Sequence, residues 1–156
     1  MGSGVADVPA MVREGLTVAL GTDGAASNNN LNMMEEMHLV SLLHKGVHRE
    51  PTLLSPGLIL QMATVNGARL QGREDTGALA VGNKADVIAV DTDRPHLIPD
   101  TDSLSNLIYS AQAGDVCLTM VDGRILYEDG KYLTLDPEQV LFNARAAVRR
   151  LYGKEL

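Results

Sequence analysis

Hydrophobic positions fall into helical stripes and short apolar runs, and the balance between the two changes near residue 75. Val5, Val8, Met11 and Val12 recur at helical spacing over residues 5–14, with Gly15 placed to stop the helix. Residues 16–20, apolar except for Thr17, read as a short buried strand that runs into a loop of small residues, Gly21-Thr22-Asp23-Gly24. Asn30 is placed to cap a helix over residues 31–45, closed by Gly46. After a loop over residues 47–54, Ser55-Pro56 supplies an N-cap and a first helical proline. That second helix carries Leu58, Ile59, Met62, Ala63 and Val65 and ends near Gly67 or Gly72.

Beyond residue 75 the pattern turns to strands. Residues 77–82 and 85–91 are strand-like, separated by the turn Gly82-Asn83-Lys84. Residues 91–99 hold two prolines and read as a loop; residues 103–111 suit a short helix. Residues 116–121 and 124–127 form a hairpin through Asp122-Gly123, because Asp-Gly supplies the positive φ of a tight turn. A second turn at Asp129-Gly130 leads to a strand over residues 131–133. Asp136-Pro137 then caps a final helix to about Tyr152, with Arg145, Arg149 and Arg150 toward its C-terminal end. A lone buried strand among helices needs neighbours on both sides, so the chain reads as a piece of a larger α/β protein.

Composition narrows the function. The chain has 156 residues, 45% of them hydrophobic, with four Tyr, one Phe and no Trp, so its core rests on Leu, Val, Ala and seven Met. A net charge of -7 argues against a phosphate-backbone binder, and no nucleic acid partner is expected. The single Cys117 excludes an intramolecular disulfide and a multi-Cys zinc site, and fits a reducing compartment. No apolar run approaches the ~18 residues that cross a bilayer, and no secretory signal opens the chain. These features lead us to expect a cytoplasmic protein without a membrane partner. The opening Met-Gly-Ser-Gly suits either a tag remnant or native sequence.

Asp23 leads the candidate residues. It follows the C-terminal end of a predicted strand, where α/β folds place reactive side chains, and Gly21 and Gly24 leave room for a ligand. A carboxylate there can hold a divalent metal or act as a base toward metal-bound water; alternatively it is a turn Asp that caps the Ser27 or Asn28 amide. The run Ser27-Asn28-Asn29-Asn30 can contact substrate or cap the next helix, and capping is favoured. His44 and His48 have the i, i+4 spacing of helical zinc sites, but Gly46 and Pro51 argue against a continuous helix. His38 falls on the face opposite His44. All three read as surface or second-layer residues, as does His96 after Pro95. Glu35-Glu36 reads as a solvated first turn, Cys117 as a buried inert thiol, and Met33, Met34 and Met37 as an adaptable core face. Residues 77–82 lack the Gly-Lys-Ser/Thr ending of a phosphate loop.

Several stretches together resemble a known family. Gly15-Leu-Thr-Val-Ala-Leu-Gly-Thr-Asp-Gly-Ala-Ala-Ser-Asn-Asn-Asn-Leu-Asn-Met is similar to the last barrel strand and loop of the metal-dependent amidohydrolase superfamily. The nearest branch is that of methylthioadenosine/S-adenosylhomocysteine deaminases and related chlorohydrolases. Met62-Ala-Thr-Val-Asn-Gly-Ala-Arg-Leu resembles the helix that follows. Gly77-Ala-Leu-Ala-Val-Gly-Asn-Lys-Ala-Asp-Val-Ile-Ala-Val-Asp resembles the return into the small β domain, and Asp115-Val-Cys-Leu-Thr-Met-Val-Asp-Gly-Arg the terminal hairpin.

The resemblance implies an α/β fold: the C-terminal fragment of a metal-dependent hydrolase (β/α)8 TIM barrel, with its last strand and helices, plus part of a small composite β-sandwich domain. Residues 1–75 would end the barrel, 76–135 would belong to the small domain, and 136–156 would form a C-terminal helix. In that family one zinc or iron ion activates water to displace ammonia from a heterocycle. A His-x-His pair, two later His and an Asp at the end of the eighth strand bind it. Asp23 matches that Asp as metal ligand and proton shuttle, and Ser27 and Asn28 are secondary candidates for substrate contact. The chain has no His-x-His and no His upstream of Asp23. We therefore expect the isolated chain to hold no metal and to be catalytically silent. The parent would be a deaminase of small purine-nucleoside-like substrates. The alternatives are a triazine- or guanine-type hydrolase, deaminase or chlorohydrolase, and a non-catalytic fragment or pseudo-enzyme that self-associates. Homo-oligomerisation is expected through exposed strand edges.

Overall fold

A computed structural model describes Gly2 and residues 4–153; Met1 and Ser3 of the opening tetrapeptide, and the last three residues of the 136–156 segment, lie outside the described residues. Helix α1 (Val8–Arg13) is shorter than its apolar pattern, because Asp7 caps it by accepting from the Ala10 amide at 3.0 Å and Gly15 ends it at φ 75°. The strand expected over residues 16–20 is not formed. Instead the Leu20 amide donates to Met62 O at 3.0 Å, and Val18 O accepts from Asn66 Nδ2 at 2.8 Å. The segment is thus fastened to helices, since no strand among the described residues lies beside it to make a ladder.

A short α2 (Ala25–Asn28) precedes the long α3 (Met33–His48). The cap of α3 is Asn32, not the Ser27–Asn30 run: its Oδ1 accepts from the Met34 and Glu35 amides at 3.1 and 3.4 Å. The helix passes through Gly46 and closes at Arg49, which turns left-handed at φ 54°. An interior glycine costs a helix only about 1 kcal/mol, which the packed face of α3 offsets. Helix α4 (Pro56–Ala63), capped by Ser55, breaks at Thr64 (φ -127°, ψ -91°), and α5 (Val65–Leu70) continues to Gly72 at φ 70°.

The strands form one antiparallel sheet in the order β1 (Val87–Val90), β2 (Val116–Val121), β3 (Arg124–Glu128), β4 (Lys131–Tyr132). Asp122 and Gly123, at φ 50° and 78°, make the expected tight turn. Residues 77–82 are a loop and not a strand. The Lys84 amide donates to Asp75 O at 2.8 Å, and the Asp86 carboxylate accepts from Thr76 Oγ1 and the Asp122 amide, each at 2.8 Å. These bonds satisfy the loop's ends without a ladder. A 3-10 turn (Pro95–Leu97) and α6 (Ser103–Tyr109) connect β1 to β2, and α7 (Pro137–Tyr152), capped by Asp136, follows the sheet.

Met34, Met37, Leu54, Ile59 and Ile108 form the core, with Val8, Leu20, Val90 and Val116 packed against it. It therefore joins α3, α4 and α6 to one edge of the sheet. Ser41, fully buried on α3, donates to the Tyr109 hydroxyl at 3.1 Å, and Lys45 Nζ donates to both Ser41 Oγ and Tyr109. Cys117 is half-buried on β2, its thiol 3.5 Å from Ala89 O, and not enclosed as its apolar strand suggested. No helix among the described residues is long and apolar enough to cross a membrane.

Candidate functional site

The loop after the extended segment builds a shallow cleft of about 290 Å³ lined by Gly21, Thr22, Asp23, Ser27, Asn28, Glu36 and Leu39. Asp23 stands in the left-handed region at φ 59°, and its Oδ1 accepts from the Gly24 amide at 2.6 Å. The Ser27 and Asn28 amides are satisfied by Gly24 O at 2.9 and 3.0 Å, so Asp23 caps neither. Its Oδ2 makes no hydrogen bond among the described residues, which leaves one carboxylate oxygen for an incoming group.

Asn28 and Asn30 tie this loop to α3. Asn28 Nδ2 lies 3.0 Å from Thr22 O, 3.2 Å from Asn30 O and 3.1 Å from Glu36 Oε1, and Asn30 Nδ2 donates to Glu35 Oε2. Glu35 and Glu36 are thus anchors for the loop and not merely a solvated first turn. A link spanning eight residues carries no local sequence signal, so periodicity could not have shown it.

The histidines lie apart from the cleft. His38 lines a neighbouring depression with Asn32, Glu35 and Gln112. Because α3 is continuous, His44 and His48 do share a face, their rings 5.9 Å apart, with His48 Nε2 3.7 Å from Asp7. His44 is buried in the helix layer, deeper than a surface position, and its Nδ1 has no partner among the described residues. Burial first, then His48, hold its pKa below the usual value of 6.5, against an opposing pull from Asp7.

His96 Nε2 sits 2.8 Å from Asp115, a buried carboxylate that also accepts from the Gln112 amide at 2.8 Å. Burial pushes Asp115 upward, but the bonds from Gln112 and His96 outweigh it and hold the carboxyl below its ordinary range. Sequence reading missed this pair; the Gln112-to-Asp115 capping spacing was the available signal.

Among the described residues, no three His, Cys, Asp or Glu side chains come together as a metal site. Asp23 and Glu36 bring carboxylates to the cleft and no imidazole joins them. The divalent ion implied by the resemblance therefore does not fit this residue set alone, since zinc sites take three or four protein ligands.

The sequence profile of the amidohydrolase family matches residues 1–126. A 5-methylthioadenosine/S-adenosylhomocysteine deaminase of Acetivibrio thermocellus is 50% identical over 152 residues, covering 97% of this chain and 35% of that protein. A 5'-deoxyadenosine deaminase of Methanosarcina acetivorans is 47% identical, covering 99% of this chain and 35% of that protein. Among solved structures, an adenosine deaminase of Xanthomonas campestris with bound zinc superposes with a TM-score of 0.93 at 33% identity, over 97% of this chain and 35% of that one. A zinc-complexed atrazine chlorohydrolase of Arthrobacter aurescens gives 0.88 at 30% identity, over 95% and 33%. The chain spans about a third of the length of the curated relatives it matches.

Proposed function

The chain belongs to the amidohydrolase family, and on that premise we propose that it is the part of a heterocyclic aminohydrolase that contributes Asp23 to the reaction centre. The substrate class is an adenine nucleoside or thionucleoside, which loses its exocyclic amine as ammonia. The observation that carries this reading is the state of Asp23: held in a cleft, one oxygen fixed by Gly24, the other free, and neither following amide capped. Such a carboxylate can take a proton from an attacking water and return it to the departing nitrogen, a transfer worth about 10²–10⁴-fold in rate.

The domain reading belongs to the same proposal. Residues 1–75 would close a (β/α)8 barrel, the extended segment 16–20 being its last strand once neighbours flank it. Residues 76–135 would form part of a small β-sandwich domain, and 136–156 a terminal helix. Metal ligands beyond Asp23 would come from outside this chain, so the isolated chain is proposed to be inactive and to self-associate through its uncovered strand edges. The nucleoside reading is preferred to a triazine hydrolase because the curated relatives at 47–50% identity are nucleoside deaminases, and among solved structures the adenosine deaminase matches at 33% identity and a TM-score of 0.93 against 30% and 0.88 for the chlorohydrolase.

The test is a chimaera in which this segment replaces the matching third of the Acetivibrio thermocellus deaminase. It should convert adenine nucleosides to their hypoxanthine counterparts, as followed by the ultraviolet shift. Asp23→Asn should lower kcat by about 10²–10⁴-fold. Turnover unchanged in Asp23→Asn would remove Asp23 from the reaction.

A further inference from the structure

Asp23 adopts a left-handed backbone at φ 59°, a region that costs most residues bearing a Cβ and that Asp enters more readily than most, so that a few bonds around it can decide its conformation. Hydrogen bonds reach the peptides on both sides of it. Thr22 O accepts from Asn28 Nδ2 at 3.0 Å, while the Thr22 hydroxyl donates to Asp23 O at 3.1 Å. The same amide nitrogen reaches Asn30 O and Glu36 Oε1 at 3.2 and 3.1 Å, so its two protons serve three acceptors, one of them shared. Glu36 belongs to the first turn of α3, whose Met34 and Met37 are buried in the core. A continuous chain of bonds thus runs from a helix anchored in the core to the Asp23 loop.

We propose that Asn28 is a positioning residue: its carboxamide bridges Thr22 O and the Glu36 carboxylate, and so keeps Asp23 in the left-handed conformation that leaves Oδ2 free. The proposal rests on the reading of Asp23 as the reacting carboxylate. It also gives Asn28 a role other than substrate contact, since its donors are already committed within the loop. The side-chain chemistry is restrictive. An Asp at this position would set a carboxylate against Glu36 and two carbonyl oxygens, and an Ala would leave all three acceptors without their donor.

Two readouts test it. In the chain itself, a left-handed Asp23 gives a strong cross-peak between its own amide and α protons in nuclear magnetic resonance spectra. That peak should weaken in Asn28→Ala and Asn28→Asp while the amides of Ile59 and Ile108 keep their positions. It should also weaken in Glu36→Ala and return in Glu36→Gln, whose side-chain oxygen still accepts. In the chimaera, Asn28→Ala should lower kcat by about 10- to 100-fold with KM nearly constant. An unchanged Asp23 cross-peak in both Asn28→Ala and Glu36→Ala would overturn the proposal, as would a raised KM with kcat retained, which marks a substrate contact. Failure of the underlying reading looks different: Asp23→Asn would keep its turnover whatever the conformation of the loop.

Discussion

Burial leaves His44 only 3% exposed on α3, with an Nδ1 that has no partner among the described residues. Its pKa is lowered in the folded chain, so above the unfolded value of 6.5 both states are neutral and folding is not penalised. As pH falls below 6.5 the unfolded chain takes up a proton that the folded chain refuses, and stability declines until the folded ring also protonates. The urea midpoint should therefore drop between pH 7.5 and 5.5, and His44→Gln should lose less over that interval. An equal drop in both proteins would show that this ring does not carry the dependence. Asp115 acts at the acid end, where its lowered pKa gives stability that is present above about 3.8 and lost as pH falls through the folded value. The position of Asp23 in a loop was legible because flanking glycines and a preceding apolar run are local signals. The depth of His44 was not, because Gly46 suggested a break that tertiary packing overrides.

At the scale of elements, local hydrogen-bond chemistry set what could be read. Ser55-Pro56, Asp136-Pro137 and Asp122-Gly123 each start or turn a segment as their side chains and φ preferences dictate. Two segments with strand-like composition, residues 16–20 and 77–82, are not strands, because a strand exists only where a neighbour completes its ladder. The second of these loops depends on Gly77, at φ 88°, where a Cβ would lie 3.0 Å from both Ala68 Cβ and Val65 Cα. Gly77→Ala should cost about 1–3 kcal/mol by strain and crowding together. Gly82→Ala, at φ 93° in open space, should cost less. Urea unfolding of the two variants checks the order, and an equal loss would show that the crowding against α5 is relieved without cost.

At the largest scale, the matches take in nearly all of this chain but only about 35% of the length of the curated relatives. Leu79, Val81, Phe142 and Leu151 are exposed, and no residue of α7 is buried. The family could be read because residue patterns are spread in order along the chain, and among the described residues no set of metal ligands forms around Asp23. On the proposed function, this chain brings one carboxylate, Asp23, to a site it does not complete. Elemental analysis after dialysis against metal-free buffer reads this out. The isolated chain should retain almost no zinc or iron, and the chimaera about one ion per chain, lost in Asp23→Ala. About one tightly held ion in the isolated chain, or a chimaera whose metal is indifferent to Asp23→Ala, would contradict it.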